Sequence, residues 1–350
     1  MKKLLVICGV ATVLGALPVS WSWATPLPMY YVDPENGADS QTCGGTSLAT
    51  PGVGPCATLN QAMQNGGSGV QIVITRPGTF GPIYVDGNIG ISGPPEGQAT
   101  IAWSATLPGC MGGAPGSCNG NATATYGVDI EANPSALIKL KNVTISNGSG
   151  VALHVGTAGT VWMAKDIVRG NGAEQVLFDS SQGSALGLTL EDSEIGLNST
   201  GGCIVFSPSG NTQINAAITD TRIHNGTFGI QANAASGTAI LGLNLDHVQM
   251  SAFSNSALSL SAPAGSRLAL YLARSSLNYS NGATIKANGP GITGLIYETA
   301  ITQSANSAIN LISNPNIGTT NNNTFGAGAT CEVNGASTNC ASVLSQVGQD

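Results

Sequence analysis

One feature limits what this chain can fold into more than any other: from about residue 137 it repeats itself. Pieces such as "LGLTLEDSEIGLNSTGGCIVF", "NAAITDTRIHNGTFGIQAN" and "LGLNLDHVQMSAFSNSALSLS" share one plan. An alternating apolar strand runs into a short polar bend, then an apolar residue, an Asn/Gly/Ser turn and another strand. The apolar residue after the bend falls at Ile145, Val168, Ile195, Ile223, Met250, Leu277 and Ile301, at spacings of 23 to 28 residues. A period in this range means stacked units. Alternation at period two and the absence of helical periodicity make the units strands and turns. The strands are too short to pair back on themselves as hairpins. Coiling solves this, because each strand then pairs with its equivalent one coil later at about 4.8 Å. Leu188, Leu190 and Ile195 are expected to stack on Ile218 and Ile223, and these on Leu243, Leu245 and Met250. Such rungs are stable only with neighbours present. Asn147, Asn171, Asn198, Asn225 and Asn281 recur after the bend, where Asn suits a left-handed turn.

The N-terminus reads as a targeting segment. Lys2 and Lys3 precede the apolar run "LLVICGVATVLGALPV", and "SWA" ends at Ala24 like a cleavage site. Residues 1–24 are therefore set aside as a signal peptide, and the protein is expected to be secreted to an extracellular, periplasmic or cell-surface location. No later stretch is apolar for long enough to span a bilayer. Without that segment nine basic residues face eighteen acidic ones. This balance offers no basic patch for a phosphate backbone, so nucleic acid is excluded as a partner. It also repels polyanionic sugars unless a cation bridges them. Export permits disulfides, and near neighbours suggest Cys43–Cys56, Cys110–Cys118 and Cys331–Cys340, leaving Cys203 as a small buried hydrophobe.

The repeat resembles that of right-handed parallel β-helix proteins of the pectate-lyase-like superfamily. The opening "YYVDPENGADSQTCGGTSLATPGVGPCATLNQAMQNGGSGVQIVITRPGTFGPIYV" is similar to the first module of many secreted members. In "ATLNQAM", Leu59, Ala62 and Met63 share one helical face and suit a cap on the open end of the core. The implied fold is all-β: a single right-handed parallel β-helix of about 22–28-residue coils. A cap with a short helix and first coils occupies 28–95, and a Gly/Cys-rich insertion with a coil occupies 96–136. Regular coils fill 137–330, and 331–350 is a disulfide-pinned end. The strings that mark the superfamily's calcium-dependent lyases and its polygalacturonase-like hydrolases are not present, so neither activity carries over.

What remains for function is the distribution of charge. Only 8% of residues are charged, yet many gather at one position of the coil. Three residues before the apolar marker stand Asn142, Lys165, Asp192, Asp220, His247, Arg274 and Glu298, with Glu194, Arg222, Arg169 and His224 close by. Two readings stand. In one, the stripe is a shallow sugar-binding groove. Asp192 or Asp220 then acts as acid, base or calcium ligand, Arg222 or Arg274 holds an anionic group, and His224 or His247 shuttles a proton. In the other, Asp residues cap tight bends and Glu194 opposite Arg222 is a cross-strand ion pair. Asp33, Glu35 and Asp39 form a second candidate calcium loop, though the preferred reading is that they cap a Gly-containing turn. No cofactor is established; calcium is the one these acids would suit. Trp103 and Trp162 are sugar-stacking or packing residues, and "GCMGGAPGSCNGNATATYG" is a cleft-shaping or merely stapled loop. The expectation is a non-catalytic β-helix binding glycan or another surface partner. Its alternative is a polysaccharide lyase or glycoside hydrolase with its site on the stripe.

Overall fold

The computed structural model describes residues 27–45, 54–102, 126–340 and 345–346, apart from short breaks in turns at 147–149, 158, 171, 173, 180–184, 198–199, 235–237, 320–321 and 327–328. The signal-type segment, Trp103, Cys110, Cys118, Asn147, Asn171 and Asn198 lie outside the described residues.

Alternating apolar strands stack as three parallel sheets of 12, 10 and 11 strands, here called A, B and C in the order each coil visits them. The seven apolar markers form one unbroken column in sheet B, from Ile145 to Val168, Ile195, Ile223, Met250, Leu277 and Ile301. In sheet A the register sets Leu188 beside Ala216 and Leu243, and Leu190 beside Ile218 and Leu245. Nearly all of these side chains are fully buried. A one-residue slip would turn each column outward, so the pattern fixes the register.

Both ends are closed. At the first, strand Met29–Val32 extends sheet A by pairing with Val70–Ile74. The helix Leu59–Gly66 buries Leu59, Ala62 and Met63 against the core, with Thr58 as its N-cap. The Cys43–Cys56 disulfide ties this module together. At the far end Thr330–Val333 turns back through Asn334-Gly335, both at positive φ, and pairs antiparallel with Ala336–Asn339. Cys331–Cys340 closes that hairpin. Cys203 is a buried free thiol packed under the backbone carbonyl of His224, and burial pushes its pKa up to about 12.

Candidate functional site

The charged stripe lies on the corner between sheets A and B. Asn142, Lys165, Asp192, Asp220, His247, Arg274 and Glu298 all have positive φ, between 46° and 58°. Non-glycine residues other than Asn and Asp rarely adopt this left-handed conformation. The corner imposes it. From Asn142 to Arg274 each bend residue donates its backbone N–H to a carbonyl of the next coil, for example Asp192 to Thr219 and Asp220 to Asp246. The residue that follows each bend is buried in the corner, where Ser193, Thr221, Ser275 and Thr299 bring hydroxyls and Val143 and Val248 bring apolar side chains. Ser193 accepts from the Asp166 N–H and donates to the Glu191 carbonyl. Ser275 repeats this with Val248 and Ala273. On one rung this position carries a carboxyl instead. Asp166 is fully buried, its Oδ1 accepts from the Val143 N–H, and its Oδ2 has no partner among the described residues. Burial drives its pKa up to about 8.

The outward side chains of the stripe line an open trough of about 790 Å³. Some of them find charged partners. Lys165 lies 3.9 Å from Asp192. Asp246, beside the stripe, accepts from Arg274 Nε and Nη2 and lies 3.1 Å from His247. Asp220 and Arg222 have no side-chain partner among the described residues. Glu194 does sit opposite Arg222 in register, but its carboxylate turns to His224 Nε2 at 2.7 Å. His224 is buried on its own, away from His247, with its ring over Gly196, where a Cβ would stand 2.8 Å from it. The trough thus holds Asp192, Asp220, Arg222, His247 and Arg274 in one line, while His224 is a packed residue bonded to Glu194.

The calcium reading of the N-terminal loop meets carboxylates already engaged. Asp33 accepts from the N–H groups of Glu35 and Asn36, and Arg76 bridges Asp33 and Glu35. Asp39 accepts from Ala57, Thr58 and the Thr58 hydroxyl at the start of the helix. Trp162 lies on the outer face of sheet A and donates to Glu191.

A denser cluster stands on the outer face of sheet C. One outward column runs from Tyr84 through Asp129 and His154 to Leu177. His154 is only 5% exposed although it points outward. The Tyr126 ring stacks on it with centroids 4.2 Å apart. Its Nδ1 is 2.7 Å from Asp129 and its Nε2 is 2.9 Å from Asp179, one coil below and one coil above. Glu131 approaches Nδ1 at 3.9 Å. Burial alone would lower the imidazole pKa. The hydrogen bonds to, and charges of, Asp129 and Asp179 outweigh it and raise the imidazole pKa to about 9. Burial and the Asp129 charge push Glu131 above the usual carboxylate range, against the opposing pull of His154. Tyr84 and Tyr126 are raised by burial and by the same acids. The nitrogen and carboxylate oxygens of His154, Asp129 and Glu131 all lie within 4.8 Å of one another, a donor set of metal-ligand spacing. Sequence reasoning missed this cluster. Its signal was an outward Asp in "YGVDIEA" followed one coil later by an outward His in "VALHVGT".

At the other end of the same column, Lys286, Asn310 and Glu332 stand on successive rungs. With Asn255 and Asn306 they line a recess of about 570 Å³. Asn310 donates to Glu332 at 2.7 Å, while its buried Oδ1 has no partner among the described residues.

No protein-family model matches this chain, and no curated protein does. Among solved structures it is similar to the crystal structure of pectate lyase Pel9A, with a TM-score of 0.50 and 13% sequence identity over 85% of this chain and 78% of that one. With three parallel sheets in one coil, the fold is a pectate-lyase-like β-helix. At that identity the likeness speaks for fold alone.

Proposed function

We propose that this protein is an exported β-helix that binds glycan along the outer face of sheet C. The observation that carries the reading is the convergence of Tyr126, Asp129, Glu131, His154 and Asp179 from three successive coils onto one outer face. Outward residues of a sheet ordinarily stand apart in water; here they lock together and bury an imidazole. Six rung steps separate Asp129 from Lys286, about 29 Å at the parallel-strand spacing. That is a track for an extended oligosaccharide rather than a pocket for a small molecule. Gln231 and Ser259 lie along it and the Asn310 recess ends it, supplying the amide and hydroxyl groups that sugar hydroxyls pair with. Tyr84 and Tyr126 offer ring faces at the start. Three carboxylates against one imidazolium favour a neutral glycan over a polyanion. The exposed charges of the corner trough fit a solvated surface. The disulfides fit an oxidising location.

A second reading rests on the same cluster. A histidine held between two carboxylates, with a third 3.9 Å from its Nδ1, is also acid–base machinery for cleaving a glycosidic bond. One experiment addresses both. The purified protein is incubated with neutral and acidic polysaccharides, with calcium and with chelator, while affinity, new reducing ends and unsaturated uronate absorbance are followed. Saturable binding of a neutral polymer without product is the expected result. Reducing ends lost in Glu131→Gln would assign a hydrolase, and no affinity for any polymer would refute the proposal.

A further inference from the structure

We propose that Asp129, Glu131 and His154 form a binding site for a divalent transition-metal ion of the zinc type, with Asp179 as its outer hydrogen-bond partner. The inference concerns the same end of sheet C as the glycan reading and adds a ligand to it.

The donor chemistry selects the ion. One imidazole nitrogen and two carboxylate oxygens suit zinc, whereas calcium takes six to eight oxygens. Metal–donor bonds of about 2.0–2.2 Å place neighbouring donors of a tetrahedron about 3.3–3.6 Å apart. The His154 Nδ1 distances of 2.7 Å to Asp129 and 3.9 Å to Glu131 bracket that range. Small side-chain shifts would therefore complete three legs and leave a fourth position open toward solvent, where a water or a sugar hydroxyl would coordinate.

The orientation of the ring is the second argument. A histidine that binds metal through one nitrogen characteristically donates its other N–H to a carboxylate, which fixes the tautomer and strengthens the ligand. His154 has this arrangement: Nε2 faces Asp179 at 2.9 Å, and Nδ1 faces the other two acids. Tyr126 stacked on the ring holds its plane.

The backbone supplies a third. Strands Tyr126–Glu131 and Val151–Thr157 pair in regular register until a shift between Val155 and Thr157 sets Glu131 opposite Thr157. Gly156 is the residue passed over. A Cβ there would overlap the Glu131 carboxylate, so the glycine makes the space through which that side chain folds back toward His154. Bulges re-aim side chains next to functional sites. This one brings the Glu131 carboxylate to 3.9 Å from His154 Nδ1, on the side of the ring where Asp129 already stands at 2.7 Å.

The test is titration of the purified, chelator-stripped full chain with Zn2+ and with Mn2+, using Ca2+ for comparison. Heat of binding and thermal unfolding are the readouts. One equivalent of Zn2+ is expected to bind tightly and raise the melting temperature, with Ca2+ much weaker. Glu131→Gln and Asp179→Asn, both at partly exposed positions, are each expected to weaken Zn2+ about 10–100-fold. Gly156→Ala is expected to weaken it as well, without altering any donor. Asp220→Asn on the corner is expected to leave it unchanged. Absence of saturable Zn2+ binding, or binding unaffected by Glu131→Gln and Gly156→Ala, overturns the proposal. The two readings fail separately. Glycan affinity that persists when Zn2+ does not bind removes the metal and leaves the glycan track. Zn2+ binding to a protein with no glycan affinity does the reverse.

Discussion

The corner between sheets A and B and the outer face of sheet C both collect charged residues, and they do so in opposite ways. At the corner seven successive coils share one backbone conformation while the side chain changes from Asn to Lys, Asp, Asp, His, Arg and Glu. On sheet C the backbone is ordinary β structure, apart from the bulge at Gly156, and side chains from the coils before and after converge on one imidazole. Constant backbone under varied chemistry marks a structural position. Varied positions under convergent chemistry mark a site. Charge density along the sequence does not separate the two cases; the direction in which side chains are held does.

The largest effect that sharpens this contrast comes from His154→Ala. It should leave Asp129 and Asp179 without their shared cation, abolish glycan affinity and destabilise the fold by about 2–3 kcal/mol. Asp220→Asn and Arg222→Ala on the corner should change neither. Polysaccharide affinity and urea unfolding measured side by side would show it.

Next is the one place where the corner itself carries unusual chemistry. Asp166 has a folded-state pKa of about 8 against an ordinary 3.8. A carboxyl raised on folding contributes stability that is fully present below about pH 3.8 and is lost progressively as pH rises to about 8. Asp166→Asn keeps the shape and removes the charge. Its amide can follow the corner hydroxyls of Ser193 and Ser275, which donate to a carbonyl two residues back. At pH 8 the variant should be more stable than the parent, on the order of 2–4 kcal/mol, with the gain shrinking toward pH 4. Urea unfolding at pH 4, 6 and 8 gives the slope. A constant difference across that range would show that Asp166 is not the titrating group.

The smallest effect tests the claim that the corner is selected for backbone. Lys165 has φ 58° and an exposed side chain with only a 3.9 Å pair to Asp192. Lys165→Gly relieves the left-handed strain and should stabilise by about 0.5–1 kcal/mol. A loss of stability would mean that the side chain matters more than the bend.

Much of this architecture was legible in the residues. The column from Ile145 to Ile301 follows from spacing alone, because a coil must return an inward residue to the same place. The cap helix and its buried face, two disulfide pairings and the burial of Cys203 were also readable. The stripe was legible as a stripe, but its left-handed backbone was not: Lys, Arg and Glu carry no propensity for that conformation, and only the stacked corner enforces it. The His154 cluster was hidden for a different reason. Its members come from three coils, Asp179 sits two residues beyond the His154 position, and Glu131 arrives through a bulge. Pairwise spacing along a repeat does not show such convergence; it requires the register of the third sheet.

The measurement that tests the central claim most directly is the affinity of the protein for a panel of neutral polysaccharides, compared among the parent, Asp129→Asn with Asp179→Asn, and Asp192→Asn with Asp220→Asn. Loss of affinity in the sheet C pair with full retention in the corner pair is the expected result. Retention in the sheet C pair with loss in the corner pair would contradict the account and return the site to the trough.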